Sequence, residues 1–462
     1  MTGFIDEDQT MIRLCFYPLA CVCFLLTLAA QCQAQPTPSK WEQAWKKWAT
    51  IQVQEPGGLP RQQEPVDVEI RFDGMTIERV RKEVRVVEIP GGSEVPSQLH
   101  GLAADKTGVV GRLTFPADLK AKETKTFRVY FDNIKADPPT YDAGLTTMPV
   151  TGFVKIEPPR PFGLTVQNEH IRVDLHPRSG QIGKLNFLKG TGKPFIFVGG
   201  EQDSKVHWGP DLRNRKRLFD PPYKGHDRGW EYTHYWDPPP HFVVEKGPVL
   251  FKLKRWGSFT HNKEVFCSVT YTMYAHQPYI VVDTEMKTLE DYEVEFLRDD
   301  EFGFKFGFNQ ALWKEKSGKV KGWDLRKLIP IGGVVHGTKV EANGIIELEP
   351  DCPWITFYHD ETAEAVTTIH TQYHNTAVGK VKMDPPMSFI HVNGAAHNYW
   401  GRVLAGKLHR LPQAQLPKGC EWRTQSVILF HNYNGKGEPE TLNRFDRILR
   451  NPLKITVDKA KS

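Results

Sequence analysis

The sequence predicts an all-β protein: a small β-sandwich followed by a large antiparallel β supersandwich. Three observations predict it. Apolar and polar residues alternate over many short runs, as in VDVEIRF at 66–72. Glycine and proline are frequent, 38 and 34 of 462 residues, and they punctuate those runs. Aromatic residues reach 11%, and with these turn residues many short strands fit better than a long helical bundle. Hydrophobic residues make 39% and charged residues 25%, a globular balance. The chain is long enough for more than one core.

Residues 11–35, MIRLCFYPLACVCFLLTLAAQCQAQ, have the anatomy of a secretory signal peptide. Arg13 gives the positive start, Leu14 to Ala30 the apolar run, and cleavage is expected after Ala34. Translation is expected to begin at Met11, because the acidic leader MTGFIDEDQT is wrong for such a start. The expected location is therefore secreted or periplasmic, with no stable membrane span after signal removal. Residues 1–34 also contain Cys15, Cys21, Cys23 and Cys32, leaving Cys267, Cys352 and Cys420. Three cysteines allow one disulfide at most.

The whole chain has 60 basic and 55 acidic residues. Residues 1–34 hold one base (Arg13) and three acids (Asp6, Glu7, Asp8), so the remainder has 59 against 52, or +7. That mild excess fits a polyanionic sugar better than nucleic acid, and a merely solvated surface equally well.

Residues 35–65 read as a linker with a short helix. Trp41, Ala44, Trp45 and Trp48 fall at i, i+3, i+4 and i+7, one helical face. Residues 66–150 read as a small immunoglobulin-like β domain. Val66, Val68, Ile70 and Phe72 alternate with polar neighbours, and KEVRVVEI, GVVGRLTF and TKTFRVYFDN repeat the habit. ADPPTYDAGLTTMP is the expected boundary.

Residues 163–455 are expected to form the larger part. In HIRVDLHPRSGQIGKLNFL, Ile171, Val173 and Leu175 alternate, a PRSG turn follows, and Ile182, Leu185 and Phe187 continue. VVEKGPVLFKLKRWGSF reads as a strand pair around a Gly-Pro turn. EVFCSVTYTMYAHQPYIVVDTEMKTL reads as a long hairpin, and LPKGCEWRTQSVILFHNY as a closing strand. Together these segments resemble the galactose-mutarotase-like β supersandwiches of aldose epimerases, glycoside hydrolases and polysaccharide lyases.

No nucleotide-loop, dinucleotide-fold, HExxH or GxSxG motif is present, and no paired CxxC. Candidate chemistry lies instead in polar-aromatic stretches. Residues 203–246 carry His207, Trp208, Arg213, Arg215, His226, Arg228, Trp230, Tyr232, His234 and Trp236 among several prolines. Long irregular loops of this kind line sites. Indole and phenol rings stack on sugars, and guanidinium pairs with carboxylate. His370 and His374 are two strand periods apart and are expected on one face, with Tyr373 opposite. His397, Tyr399 and Arg402 form a third cluster. Asp283 and Glu285 share a strand face and could ligate calcium; no cofactor is otherwise implied.

The resemblance implies a carbohydrate substrate, a polysaccharide or oligosaccharide. For a polysaccharide lyase cleaving an acidic, uronate-containing glycan by β-elimination, it implies His226 or His234 as base and Tyr232 as acid. Arg228 and His207 would neutralise the carboxylate. Trp208, Arg213, Arg215, Trp230, Trp236, His370, His374, His397, Tyr399 and Arg402 would bind substrate. A hydrolase or epimerase of the same fold, with a carboxylate near a histidine or a second carboxylate, is the alternative. A non-catalytic sugar-binding protein is the third.

Overall fold

The computed structural model describes residues 40–142, 144–150, 161–197, 210–214, 230–233, 236, 238–259, 262–327, 334–335, 338–339, 344–378, 385–392, 398–407, 413–437 and 439–461. Among the described residues strands dominate, and three helices interrupt them: α1 (Lys40–Ala44), α2 (Ile77–Glu83) and α3 (Glu440–Arg450). The all-β class expected from alternation is observed. None of these helices is long and apolar enough to cross a membrane. The signal-like stretch lies outside the described residues.

The N-terminal part is a two-sheet sandwich. One sheet runs Lys454–Lys461, Lys47–Gln54, Thr124–Phe131, Arg85–Ile89, Ser93–Val95. The other runs Arg61–Asp73, Gly108–Leu119, Gln98–Ala104. Val66, Ile70 and Phe72 from one sheet meet Ile51, Val53, Phe127 and Val129 from the other in one buried cluster. Their period-two spacing is what turns one face of each strand inward.

One feature corrects the sequence reading. The tryptophan helix stops at Ala44, and Trp48 lies in the strand Lys47–Gln54. From Lys47 the chain pairs with both Thr124–Phe131 and Lys454–Lys461, and two ladders of hydrogen bonds outweigh a short helix. Trp41, Trp45 and Trp48 still gather, around Tyr130 rather than along one helical stripe. The C-terminal strand Lys454–Lys461 pairs into this N-terminal sheet.

The larger part contains an 11-stranded and a nine-stranded sheet, both antiparallel in every pair described. The nine-stranded sheet runs His241–Lys246, Leu250–Phe259, Asn262–Tyr274, Tyr279–Thr288, Glu421–Asn432, Glu364–Thr376, Trp354–Tyr358, Gln310–Lys314, Val320–Asp324. The hairpin expected over 264–289 is there, and Val265, Cys267, Val269, Tyr271 and Met273 all point inward with Ile280, Val282 and Met286. Part of this sheet's opposite face is covered by α3, whose Leu442 and Phe445 pack on Tyr279, Trp354, Ile369 and Leu429. Cys267, Cys352 and Cys420 are all buried and free, so no disulfide forms among them.

The two parts are tied by specific bonds. Gln98 closes the turn before Leu250: its Oε1 accepts from the Val249 and Leu250 amides at 3.2 and 2.8 Å, and its Nε2 donates to the Leu250 carbonyl at 2.9 Å. Arg61 donates to the Ile448 and Asn451 carbonyls at the C-terminal end of α3, at 3.1 and 2.6 Å.

Candidate functional site

The side chains on the uncovered outer face of the nine-stranded sheet follow from strand register. Residues directly opposite in antiparallel neighbours point to the same side. His241 faces Trp256, Trp256 faces Ser268, Ser268 faces Glu285, Glu285 faces Arg423, and Arg423 faces His374. A parallel row runs Val243, Lys254, Thr270, Asp283, Gln425, Gln372. The two rows cross six strands with polar or aromatic side chains at all but one position.

The middle of these rows is a depression of about 470 Å³. Lys254, Thr270, Asp283, Glu285, His374, Arg423 and Gln425 all line it. Gln425 Nε2 donates to Asp283 Oδ1 at 2.9 Å, and Arg423 faces Glu285 at 3.5 Å. Burial pushes the Asp283 carboxyl above its ordinary value, against the pull of the Gln425 amide and the Lys252 ammonium. Asp283 is thus biased toward its protonated form, a donor beside a second carboxyl group. Two strand rises, about 6.6 Å, separate the Cα atoms of Asp283 and Glu285.

Towards the sheet edge lies a second, larger hollow of about 740 Å³. Trp236, Pro238, Pro240, Trp256 and Phe266 give it apolar walls; His241, Ser258 and Lys263 also line it. Trp236 is fixed by its Nε1 donating to the Ser258 carbonyl at 2.9 Å. Trp256 stacks on His241, with ring centroids 5.5 Å apart. Lys254 joins the two spaces: it lines the depression, and its Nζ stands 5.5 Å from the centre of the Trp256 ring.

Behind the depression the interior is unusually polar. Thr284, between Asp283 and Glu285, points inward and donates to Asp299 Oδ1 at 3.2 Å; Thr424 donates to Asp299 Oδ2. Burial and the neighbouring Asp300 push the Asp299 carboxyl up to about 6. Asp300 Oδ2 accepts from Thr368 at 2.7 Å and lies 2.8 Å from His370 Nε2. His370 Nδ1 reaches the Cys352 carbonyl at 2.6 Å. Burial and the Arg402 charge push the His370 imidazole below its ordinary value, against Asp300. These bonds hold the strands that carry Asp283, Glu285 and Arg423 from beneath.

His370 and His374 do not share a face, contrary to the spacing. Opposite Glu421–Asn432 the register shifts between His370, which pairs with Ser426, and Gln372, which pairs with Gln425. The extra residue at Thr371 is a bulge, and it reverses every side chain beyond it. His370 is buried inside, His374 is exposed on the outer face, and Tyr373 is on the inner side.

The other expected site residues divide as follows. Tyr232 is buried on Trp230–Tyr232, a strand that pairs only into the 11-stranded sheet. Arg213, on Asp211–Arg213 of the same sheet, faces Glu295 at 3.5 Å. Tyr399 is buried edge-on to Phe389. Arg402 is buried over the Tyr373 ring, 5.7 Å from its centre. The structure therefore separates Tyr232, Arg213, Tyr399, Arg402 and His370 from the outer face. His374 is brought to it, whereas Trp236 is buried in the core beside Arg255 and only borders the edge hollow. The side chain of Trp230 lies outside the description, as do His207, Trp208, Arg215, His226, Arg228, His234 and His397 altogether.

Lys254, Trp256, Gln372, Arg423 and Gln425 are the outer-face residues that sequence reasoning missed. Alternation within Leu250–Phe259 places Lys254 and Trp256 opposite the apolar face, which was a usable signal. Among the described residues no group of three or more His, Cys, Asp or Glu is arranged to hold a metal ion.

No protein-family model matches the sequence, and no curated protein matches it. Several solved structures share part of its shape. One is an alpha-mannosidase from Enterococcus faecalis V583, with TM-score 0.48 and 12% identity, over 89% of this chain and 46% of that one. A glycosyl hydrolase family 38 protein from Enterococcus faecalis gives TM-score 0.46 and 12% identity, over 89% and 47%. A galactose mutarotase-like protein from Lactobacillus casei ATCC 334 gives TM-score 0.35 and 12% identity, over 58% and 99%. The chain spans about half the length of the first two.

Proposed function

We propose that this protein is carbohydrate-active and processes a glycan on the outer face of the nine-stranded sheet by general acid/base chemistry. The observation that supports it is the Asp283–Glu285 pair, set in an open depression among Lys254, His374, Arg423 and Gln425. Breaking a glycosidic bond needs a proton for the leaving oxygen and a base for the attacking water. Paired carboxyl groups do this when one is kept protonated. Asp283, raised by burial, is the acid. Glu285, oriented by Arg423, is the base. Inverting enzymes separate such groups by roughly 6.5–9.5 Å, which suits two positions on one strand. His374, Lys254 and Gln425 are placed to bond sugar hydroxyls.

Elimination from an acidic glycan is the second reading. Lys254, Arg423 and His374 on one face favour it, since each could pair with a uronate carboxylate. The residues that the resemblance implied for that reaction, His207, His226, Arg228 and His234, lie outside the described residues. Export, proposed from residues 11–35, fits either reaction on an extracellular glycan.

The test is a panel of neutral and acidic polysaccharides with residues 35–462. New reducing ends without ultraviolet absorbance mean hydrolysis; absorbance of an unsaturated product means elimination. Loss of product in both Asp283→Asn and Glu285→Gln is expected. Full turnover in both variants would remove the acid/base role of this face.

A further inference from the structure

The depression and the aromatic hollow adjoin, and their spacing says something about substrate size. Trp256 and Glu285 belong to one cross-strand row, with one strand, Asn262–Tyr274, between theirs. Two strand spacings are about 10 Å. One sugar ring seated at Glu285 does not reach the hollow. The complete row from His241 to His374 crosses six strands, five spacings or roughly 24 Å, several times the width of one ring.

We propose that the substrate is a linear polysaccharide lying across the strands, with the hollow beside Trp256 as a subsite remote from the reacting bond. This rests on the glycan reading of the same face. The chemistry of the hollow supports it. Trp256, Phe266 and two prolines offer apolar walls, the complement of the C–H faces of a pyranose, and the buried Trp236 backs them. His241, Ser258 and Lys263 supply polar groups for its hydroxyls. The Trp256 ring is already held by stacking on His241, and the buried Trp236 behind it is fixed by the Ser258 carbonyl. Fixed aromatic rings lose little conformational freedom when a ligand arrives. Lys254, beside the Trp256 ring and at the wall of the depression, is a polar contact midway along the chain.

The test is calorimetric titration of Glu285→Gln with xylan, mannan and polygalacturonate oligomers, from monomer to hexamer. For one of the three series, affinity should rise steeply between dimer and pentamer. In the double variant Trp256→Ala, Glu285→Gln that rise should flatten, with the longest oligomer weakened roughly tenfold. If the double variant does not fold, His241→Ala in the same background reads the same hollow. A monomer that binds as tightly as the hexamer would overturn the polymer inference and leave the glycan reading standing. A length dependence that survives both hollow variants would overturn the remote subsite. No binding in any series would overturn both.

Discussion

Asp283 and Gln425 face each other on adjacent strands, 2.9 Å from carboxylate Oδ1 to amide Nε2, in a depression also lined by Lys254, Glu285, His374 and Arg423. That contact favours the charged carboxylate, while burial opposes it more strongly. The Gln425 amide and the Lys252 ammonium both temper the acid that the proposed reaction needs. Gln425→Leu removes the side-chain hydrogen bond that pulls the Asp283 carboxyl down, so its pKa rises further. The alkaline limb of kcat/KM should move to higher pH. A pH–rate profile checks it; a limb that stays in place, or moves to lower pH, disconnects Asp283 from the reaction.

The bulge at Thr371 separates two histidines by role. His370 bridges Asp300 and the Cys352 carbonyl in the interior, so His370→Ala leaves buried groups unpaired. A loss of roughly 1–3 kcal/mol is expected. His374→Ala, on the exposed face, should leave Tm nearly unchanged and weaken glycan binding. Thermal unfolding of the two variants, with binding measured on the second, distinguishes them.

Glu55 and Arg61 form an ion pair at 2.9 Å with both side chains fully buried, and Arg61 also ends α3 through two carbonyls. Burial pushes the Glu55 carboxyl up. The amides of Lys122, Gly57 and Gly58 and the Arg61 guanidinium outweigh that and hold it at about 2. A lowered folded pKa means stability that is present above the ordinary carboxylate value of 4.5 and is lost as pH falls towards 2. Arg61→Met strands the carboxylate, at a cost of about 3–5 kcal/mol. Chemical denaturation at pH 7 and pH 3 should show a large deficit for the variant at pH 7 that narrows at pH 3.

Asp299 has the opposite sign. Its folded value, about 6, lies above the ordinary 3.8. The protonated form is favoured by folding, so its contribution is complete below pH 3.8 and is lost as pH rises through 6. Asp299→Asn removes the charge; its single oxygen accepts from one of Thr284 and Thr424, and its Nδ2 donates to the other hydroxyl. It should gain Tm relative to the parent at pH 8 and not at pH 4. Equal shifts at both pH values would show that Asp299 is not titrating between them.

The three buried thiols are free. Native protein lacking residues 1–34 should not react with an aromatic disulfide reagent, and three thiols should react after denaturation. Fewer than three under non-reducing conditions would mean a bond that the structure does not contain.

Much of the strand content was legible because it is local. Val265, Cys267, Val269, Tyr271 and Met273, then Ile280, Val282 and Met286, recur at even spacing, and the hairpin formed as their pattern required. The His370–His374 spacing misled because one inserted residue reverses a face without changing composition, and only the partner strand shows where the insertion falls. The tryptophans at 41, 45 and 48 satisfied helical spacing by coincidence; pairing with a strand more than 400 residues away, Lys454–Lys461, took Trp48 out of the helix. Asp283 and Glu285 were visible as one strand face. Their neighbours Arg423 and Gln425 were not, since Glu421–Asn432 reaches Tyr279–Thr288 only through the folded sheet.

The most direct measurement is a crystal structure of the Glu285→Gln variant with the longest oligosaccharide that binds it. Density for sugar rings across Asp283, residue 285 and His374, continuing towards Trp256, is predicted. Rings bound solely against residues 203–235 or 385–407, with the outer face of the nine-stranded sheet empty, would contradict it.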